Sequence, residues 1–183
     1  MPLVTSAQML KDDQSGRWAV GAFNIENMEM AQAVVAAAEQ ARSPVIMQTT
    51  PGTVRYATLA LYHANVAALA GAASVPVALH LDHGDSYELA TAALDAGYTS
   101  VMIDGSHLPF EENIELSSRV VKAAKNPDIP VEAELGRAGG KEDDTEGEDG
   151  GYTDPAEAAQ FVQTTGISPP ARCIGTAPVL SVG

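Results

Sequence analysis

Short apolar runs alternate with helical segments along this chain, and this alternation limits its possible folds more than any other feature. A breaker residue precedes each apolar run, as is typical of strands that begin after a tight loop. Strands are predicted at residues 19–24, 45–49, 75–81, 99–103 and 131–135, and helices at residues 6–14, 28–42, 54–72, 86–96, 111–125 and 156–165. Strict alternation indicates a parallel α/β fold, because right-handed crossovers return the chain to the same sheet.

Polar side chains end one predicted strand after another: Asn24, Thr49, Thr50, Asp82, His83, Asp104, Ser106 and Glu134. A (β/α)8 barrel gathers such strand ends around one axis, whereas an open doubly wound sheet concentrates its site at one switch point. The repeated pattern therefore favours the barrel. A complete barrel needs about 250 residues and eight strands, and this chain of 183 residues offers five strands and a degenerate sixth. We expect a single, incomplete TIM-barrel domain over residues 1–183.

The composition excludes several classes of partner. A net charge of -14 argues against binding to nucleic acid or to an anionic membrane, because both require basic patches. The single cysteine, Cys173, permits no internal disulfide. Residues 1–14 lack the pattern of an export signal, and the most apolar stretch, residues 64–81, is interrupted by polar residues. We therefore expect a cytoplasmic protein without membrane or nucleic-acid partners.

The dipeptide Asp82-His83 follows an apolar strand and is the first candidate site. A neutral imidazole is a common zinc ligand, and an adjacent carboxylate can transfer a proton at a metal-bound substrate. Asp104 and Glu134 also end mostly apolar strands, where an isolated charge is costly, so each needs a cation or a partner. Structural roles as helix caps, packing groups or ion-pair members stay open for all four. For His80, inside the same strand, a core or surface role is favoured over that of a ligand.

An acidic, glycine-rich segment spans residues 139–151. Its composition predicts a mobile loop, which as a solvated charge run needs no function. If the segment follows a barrel strand on the active face, it can instead close over a substrate and deliver a carboxylate base. Glu142 is the best placed for that role, since it lies nearest the glycine hinge.

Six short motifs follow one another along the chain: Ala22-Phe23-Asn24, Ser43-Pro44-Val45-Ile46, His80-Leu81-Asp82-His83-Gly84, Met102-Ile103-Asp104-Gly105-Ser106, Phe110-Glu111-Glu112-Asn113 and Val131-Glu132-Ala133-Glu134-Leu135-Gly136, the last followed by Gly139-Gly140. Together they resemble the class II, zinc-dependent ketose-bisphosphate aldolases, in their tagatose- and fructose-bisphosphate branch. The resemblance covers residues 1–166 and is specific because several spaced motifs occur in the same order.

This resemblance implies a (β/α)8 barrel, assembled as a homo-oligomer, that reversibly cleaves a ketose 1,6-bisphosphate to dihydroxyacetone phosphate and glyceraldehyde 3-phosphate. It implies Zn2+ as cofactor and a phosphorylated sugar as substrate. The matching positions imply a catalytic zinc ligand at His83, a proton donor at Asp82, a loop proton carrier at Glu142, second-metal or zinc-exchange positions at Asp104 and Glu134, and substrate contacts at Asn24 and Thr50.

The chain departs from the family pattern after Gly166. Pro178 follows Gly175-Thr176-Ala177 where the family has its second zinc histidine, so residues 167–183 are interpreted as an aberrant tail from a truncated or frame-disrupted gene. A catalytic zinc site keeps three protein ligands, and His83 is one of the three family histidines. We therefore expect weak or no zinc binding and an inactive chain. Two alternatives stay open: a non-catalytic subunit or pseudoenzyme that stabilises a partner, and a metal-independent phosphosugar epimerase or isomerase.

Overall fold

A computed structural model describes residues 3–124, 126, 128–135, 140–142, 145–147 and 153–167, and of residues 140–142 and 145–147 the backbone alone. Helices and strands alternate along most of these residues, as the sequence predicts. In chain order they are α1 (Ser6–Gly16), β1 (Gly21–Asn24), α2 (Met28–Ala41), β2 (Val45–Thr49), α3 (Pro51–Tyr56), α4 (Leu59–Ala72), β3 (Val77–Gly84), α5 (Tyr87–Asp95), β4 (Ser100–Ile103), α6 (Phe110–Ala123), β5 (Val131–Ala133), β6 (Gly140–Glu142), β7 (Thr145–Gly147) and α7 (Pro155–Thr165).

Strands β1 to β5 form one parallel sheet in the order β1-β2-β3-β4-β5. Each strand therefore lies beside its neighbour in sequence, and the order never reverses. A doubly wound sheet requires such a reversal, whereas a (β/α)8 barrel does not. The α/β fold and the barrel winding predicted from the sequence are confirmed for these five strands.

The core lies between the sheet and the helices that connect its strands. Strands β2, β3 and β4 are almost entirely buried, as their near-continuous apolar runs predict. Small side chains on the inner faces of the helices allow close packing against the sheet. Fully buried members of this core include Val66, Ala90 and Ala93 from the helices, and Leu79, Leu81, Val101 and Ile103 from the strands.

Polar caps fix where most helices begin. The side chains of Asn27, Thr50, Thr58, Ser86 and Asp154 each accept a hydrogen bond from a backbone N–H in the first turn. These bonds satisfy donors that a helix start leaves without an intrahelical partner. Because the caps are local, the starts of α2 and α7 agree with the sequence prediction to within a residue.

Three differences from the prediction are larger than a shift of one or two residues. The single helix predicted over residues 54–72 is two helices, because Ala57 and Thr58 are extended and the Thr58 hydroxyl caps α4. Strand β3 continues beyond Leu81 to Gly84 through an irregularity in its pairing. In the acidic segment, where the sequence predicts a mobile loop, β6 and β7 pair as a short antiparallel hairpin.

The described helices are each too short or too polar to span a lipid bilayer. Residues 168–183, which include Cys173 and Pro178, lie outside the described residues, and so does most of the degenerate sixth strand.

Candidate metal centre

The end of β3 has an unusual backbone that places His83. The pairing of β3 with β4 shifts register between Leu81 and Gly84, and His83 adopts a left-handed φ of 48°. Gly84 then lies so close to β4 that an added Cβ would come within 2.5 Å of the Met102 carbonyl oxygen. A left-handed histidine is uncommon, and such conformations concentrate at functional sites. The bulge ends the strict alternation of side chains along β3 at Asp82 and His83.

His83 meets two carboxylates from the next two strands. Its Nδ1 lies 3.0 Å from Asp104 Oδ2 and 3.3 Å from Glu134 Oε2. One ligand atom from each of the three residues lies within 4.8 Å of the other two. The side chains are partly or fully buried, with exposed fractions of 28% for His83, 23% for Asp104 and 8% for Glu134. Consecutive parallel strands thus bring together three of the residues predicted from the sequence.

The carboxylates stabilise the charged form of His83. The hydrogen bond to Asp104 raises the pKa of His83 to about 9; burial opposes this rise, and the charges of Asp82, Glu134 and Asp104 add to it. Burial by itself would raise the pKa of Asp104, but hydrogen bonds from His83 and Ser106 lower that pKa to about 2. Without a metal, the cluster is therefore an imidazolium ion held between carboxylates.

The donor set of this cluster fits a divalent cation. One imidazole nitrogen and two carboxylate oxygens are ligands that Zn2+ accepts, and they converge within a partly buried space. A cation bound there would displace the His83 proton, because imidazole binds a metal in its neutral form. His83, Asp104 and Glu134 are therefore the residues that could hold the metal.

A second histidine, His80, lies three residues before His83 on β3 and is more deeply buried. The surroundings of His80 and of His83 are called the deeper layer and the upper layer of the barrel. His80 is 3% exposed, and its Nδ1 is 2.8 Å from Ser100 Oγ, which in turn accepts a hydrogen bond of 3.0 Å from Ser6 Oγ. Burial, with a smaller contribution from the charge of His83, lowers the pKa of His80 to about 4. Its Nε2 is 3.8 Å from Glu132 Oε2, which is too far for a hydrogen bond. Of the two roles favoured from the sequence, core and surface, the structure gives His80 the core role.

The other predicted site residues have different surroundings. Asp82 is partly buried, and its charge contributes to the raised pKa of both His83 and Glu132. Asn24 is exposed at the end of β1. The hydroxyl of Thr50 is buried and caps α3 by accepting a hydrogen bond of 3.3 Å from the backbone N–H of Thr53.

Glu142 ends β6, and its side chain lies outside the described part of the structure. The roles assigned to Asp82, Asn24, Thr50 and Glu142 by resemblance stay predictions.

Sequence reasoning missed one residue that contacts this centre. Asn113 on α6 is buried, and its Nδ2 donates a hydrogen bond of 2.7 Å to the backbone carbonyl of Glu134. The sequence does contain a sign of this role. Asn113 and Ser117 are four residues apart on the face of α6 that also carries the buried residues Ile114 and Val120. Polar side chains on an apolar helix face need partners, and here the partner lies on the next strand.

The order of the five parallel strands is that of a (β/α)8 barrel, and the cluster lies at the carboxyl ends of β3, β4 and β5, the face on which barrels of this class carry their functional sites. The family model for fructose-bisphosphate aldolase class-II matches residues 4–179. The chain belongs to the class II fructose-bisphosphate aldolase family.

Individual relatives agree with this assignment. Over 181 aligned residues the chain is 47% identical to the fructose-bisphosphate aldolase of Geobacillus stearothermophilus and 42% identical to that of Staphylococcus epidermidis, with 96% of this chain covered in each case. It spans 62% and 63% of the length of these two relatives. The crystal structure of the YdjI aldolase from Escherichia coli K12 superposes with a TM-score of 0.79 at 37% identity, covering 90% of this chain and 60% of that one.

Proposed function

We propose that this protein is a metal-dependent aldolase that reversibly cleaves a ketose 1,6-bisphosphate to dihydroxyacetone phosphate and glyceraldehyde 3-phosphate. The observation that carries the proposal is the convergence of His83, Asp104 and Glu134 at the carboxyl ends of three adjacent strands. The named relatives favour fructose 1,6-bisphosphate as the substrate, and tagatose 1,6-bisphosphate is the stereochemical alternative.

The protein residues would bind the metal and move protons. A bound zinc ion would supply a Lewis acid that withdraws electron density from the substrate carbonyl. His83 would bind that ion as a neutral imidazole, with Asp104 and Glu134 as carboxylate ligands or as exchange positions beside it. The deep burial of Glu134 supports this role, because a buried carboxylate needs a positive partner.

Two further carboxylates would carry protons in the cleavage direction. The products contain three carbons each, so the C3–C4 bond breaks and the C4 hydroxyl must lose its proton as it becomes an aldehyde. Asp82 would accept that proton, and Glu142 would deliver one to C3. In the condensation direction both transfers reverse. Asn24 and Thr50 would contact the substrate from the ends of β1 and β2.

The acidic charge of the chain also supports a metal at this site. A net charge of -14 opposes the approach of a bisphosphate, so a local cation is needed to bind it. We propose further that residues 1–183 form one domain of a homo-oligomer, as the family resemblance implies. Cytoplasmic residence is consistent with the single cysteine.

A polypeptide of these 183 residues is proposed to be inactive by itself and to bind zinc only weakly. The reason is its ligand set, since Pro178 stands where the family pattern has a second histidine. The same observation favours a second candidate, a non-catalytic subunit that stabilises an aldolase partner. Asp82 and His83, which a purely structural subunit would not need, make the aldolase the stronger proposal.

A chimera tests whether this site can catalyse the reaction. Residues 1–166 would be joined to the remaining segment of the Geobacillus stearothermophilus aldolase, and cleavage of both ketose bisphosphates would be assayed with zinc. We expect activity that is lost in His83→Ala and falls by about 100-fold or more in Asp82→Asn, because general acid–base catalysis contributes about that much. Asp95→Asn, an exposed acid on α5, is the matched control. A folded, zinc-loaded chimera without activity on either substrate would contradict the proposal.

A further inference from the structure

The side chain of Asn113 joins α6 to the backbone of the candidate metal centre. Its Nδ2 donates a hydrogen bond of 2.7 Å to the carbonyl oxygen of Glu134, and its Oδ1 accepts one of 3.2 Å from Ser117 Oγ. Asn113 is 2% exposed and Ser117 is 0% exposed. The amide is therefore held in one orientation, because exchanging its oxygen and nitrogen would place two oxygen atoms against each other at Glu134.

The same amide also contacts the loop that follows Asp104. Gly105 packs directly against it, and a Cβ added at Gly105 would overlap Asn113 Oδ1. This loop is itself ordered, since Ser106 N donates to Asp104 Oδ1 at 3.0 Å and Leu108 N donates to the Gly105 carbonyl at 2.9 Å. One buried side chain thus lies against the backbone at both carboxylates of the centre.

The contacts of Asn113 lie just beyond the point where the pairing of β4 with β5 ends. The pairing of β4 with β5 ends at Ile103 and Ala133, one residue before Asp104 and Glu134 respectively. Beyond that point, hydrogen bonds of the sheet no longer fix the distance between the segments that follow β4 and β5. Asn113 contacts both segments, at Gly105 and at Glu134. An apolar residue would fill the same space without the cost of burying an amide, so packing alone does not explain an asparagine here.

We propose that Asn113 is a positioning residue that holds Asp104 and Glu134 at the separation needed to share His83 and a divalent cation. It acts through the backbone and touches no reacting atom. The metal-binding part of this inference rests on the proposed function, whereas the geometric part concerns the protein without metal.

The geometric part is tested by a double-mutant cycle in urea with a chelator present. The effect of Asn113→Ala on unfolding would be measured in the wild-type protein and in the Glu134→Gln variant. In that variant a neutral amide replaces the carboxylate that Asn113 positions. We expect the effect of Asn113→Ala on the unfolding equilibrium constant to be roughly tenfold smaller in the Glu134→Gln background. If Asn113 merely satisfies a backbone carbonyl, both backgrounds will show the same factor, and the proposal is overturned.

The metal part is tested by calorimetric titration of zinc into the 183-residue chain. We expect the Kd for zinc to rise about 10- to 100-fold in Asn113→Ala, as for other residues that orient metal ligands. Thr165→Val is the matched control, because it removes a buried hydroxyl that bonds to the Phe161 carbonyl on α7. Its Kd should equal that of the wild type. An unchanged Kd in Asn113→Ala would overturn the inference.

The two tests also separate this inference from the proposed function. A wild-type chain that binds no zinc would contradict the metal site, while the cycle would still decide the role of Asn113. Should Asn113→Ala fail to fold, Ser117→Ala replaces it in both tests, because that change removes only the bond that orients the amide. A smaller change in the same direction is then expected, and the absence of any change overturns the proposal.

Discussion

His80 and His83 lie three residues apart on β3, yet their surroundings give them opposite charge states. His80 is buried with its Nδ1 bonded to the Ser100 hydroxyl, and burial lowers its pKa to about 4. His83 faces the carboxylates of Asp104 and Glu134, and its pKa rises to about 9. The same side chain is therefore a neutral core group in one layer and a cation in the next.

The difference follows from which residues the neighbouring strands contribute at each level. β4 begins with Ser100 beside His80 and is followed by Asp104 beside His83. Hydroxyl groups solvate a neutral imidazole at little cost, whereas carboxylates stabilise a cation and would equally accept a metal. The chemistry at each level of the barrel is thus set by side chains that are distant in sequence.

The largest effect is expected from His83→Ala. This change leaves Asp104 and Glu134 facing each other without the imidazolium, and removing one partner of such a pair costs about 3 kcal/mol. Urea unfolding of the metal-free protein measures the loss. Adding Asp104→Asn should recover part of it, because one of the two repelling charges is then gone. A loss below about 0.5 kcal/mol, the range of ordinary surface changes, would show that the cluster is not coupled.

The next largest effect is expected from pH, because the stability of the metal-free protein should fall at both acidic and alkaline pH. The folded pKa of His83, about 9, lies above the ordinary histidine value of 6.5, so its contribution to stability is complete below pH 6.5 and is lost as the pH rises toward 9. The folded pKa of His80, about 4, lies below 6.5, so its contribution is complete above pH 6.5 and is lost as the pH falls toward 4.

Metal-free stability should therefore be greatest near pH 6.5, the ordinary pKa of both side chains. Each side should change by on the order of 2 kcal/mol. Thermal unfolding between pH 4 and pH 9 measures this profile. His83→Gln should flatten the alkaline side and, because the charge of His83 contributes to the lowered pKa of His80, should also reduce the acidic side slightly. His80→Gln should flatten only the acidic side. A profile in which His83→Gln leaves the alkaline side unchanged, or His80→Gln leaves the acidic side unchanged, would contradict these assignments.

Most of the fold could be predicted because its signals are local. Asn27 caps α2, and Pro155 with Gly166 bounds α7, so these helices could be predicted from neighbouring residues. The break between α3 and α4 was missed because Ala57 and Thr58 include neither glycine nor proline. Its cause is a threonine cap, which resembles an ordinary helix residue until the backbone is known.

In the candidate site, too, some features could be predicted from the sequence and others could not. The meeting of His83, Asp104 and Glu134 was predicted, because parallel strands bring their carboxyl ends to one edge. The role of Asn113 was not, since its partner is a backbone carbonyl 21 residues away. A bond between a side chain and a distant main-chain atom leaves no pattern in the sequence beyond a polar residue on an apolar face.

The smallest effect is expected from Ser100→Ala. The change removes the hydroxyl that bonds to both His80 and Ser6, and the loss of such buried hydrogen bonds costs about 1 kcal/mol for each bond. Zinc affinity should stay at the wild-type value, because the Ser100 hydroxyl bonds to His80 and Ser6 rather than to His83, Asp104 or Glu134. Urea unfolding and zinc titration of the same preparation measure both quantities. A fall in zinc affinity comparable to that of Asn113→Ala would contradict the separation of the layers.

The claim that His83, Asp104 and Glu134 form a divalent metal site is tested most directly by titrating zinc at pH 7.5 in two buffers of different ionisation enthalpy. We expect weak binding of one zinc ion per chain with release of about one proton, because His83 must give up the proton that its raised pKa retains. His83→Ala should abolish both signals. Binding that persists unchanged in His83→Ala, or a wild-type chain that binds no zinc, would contradict it.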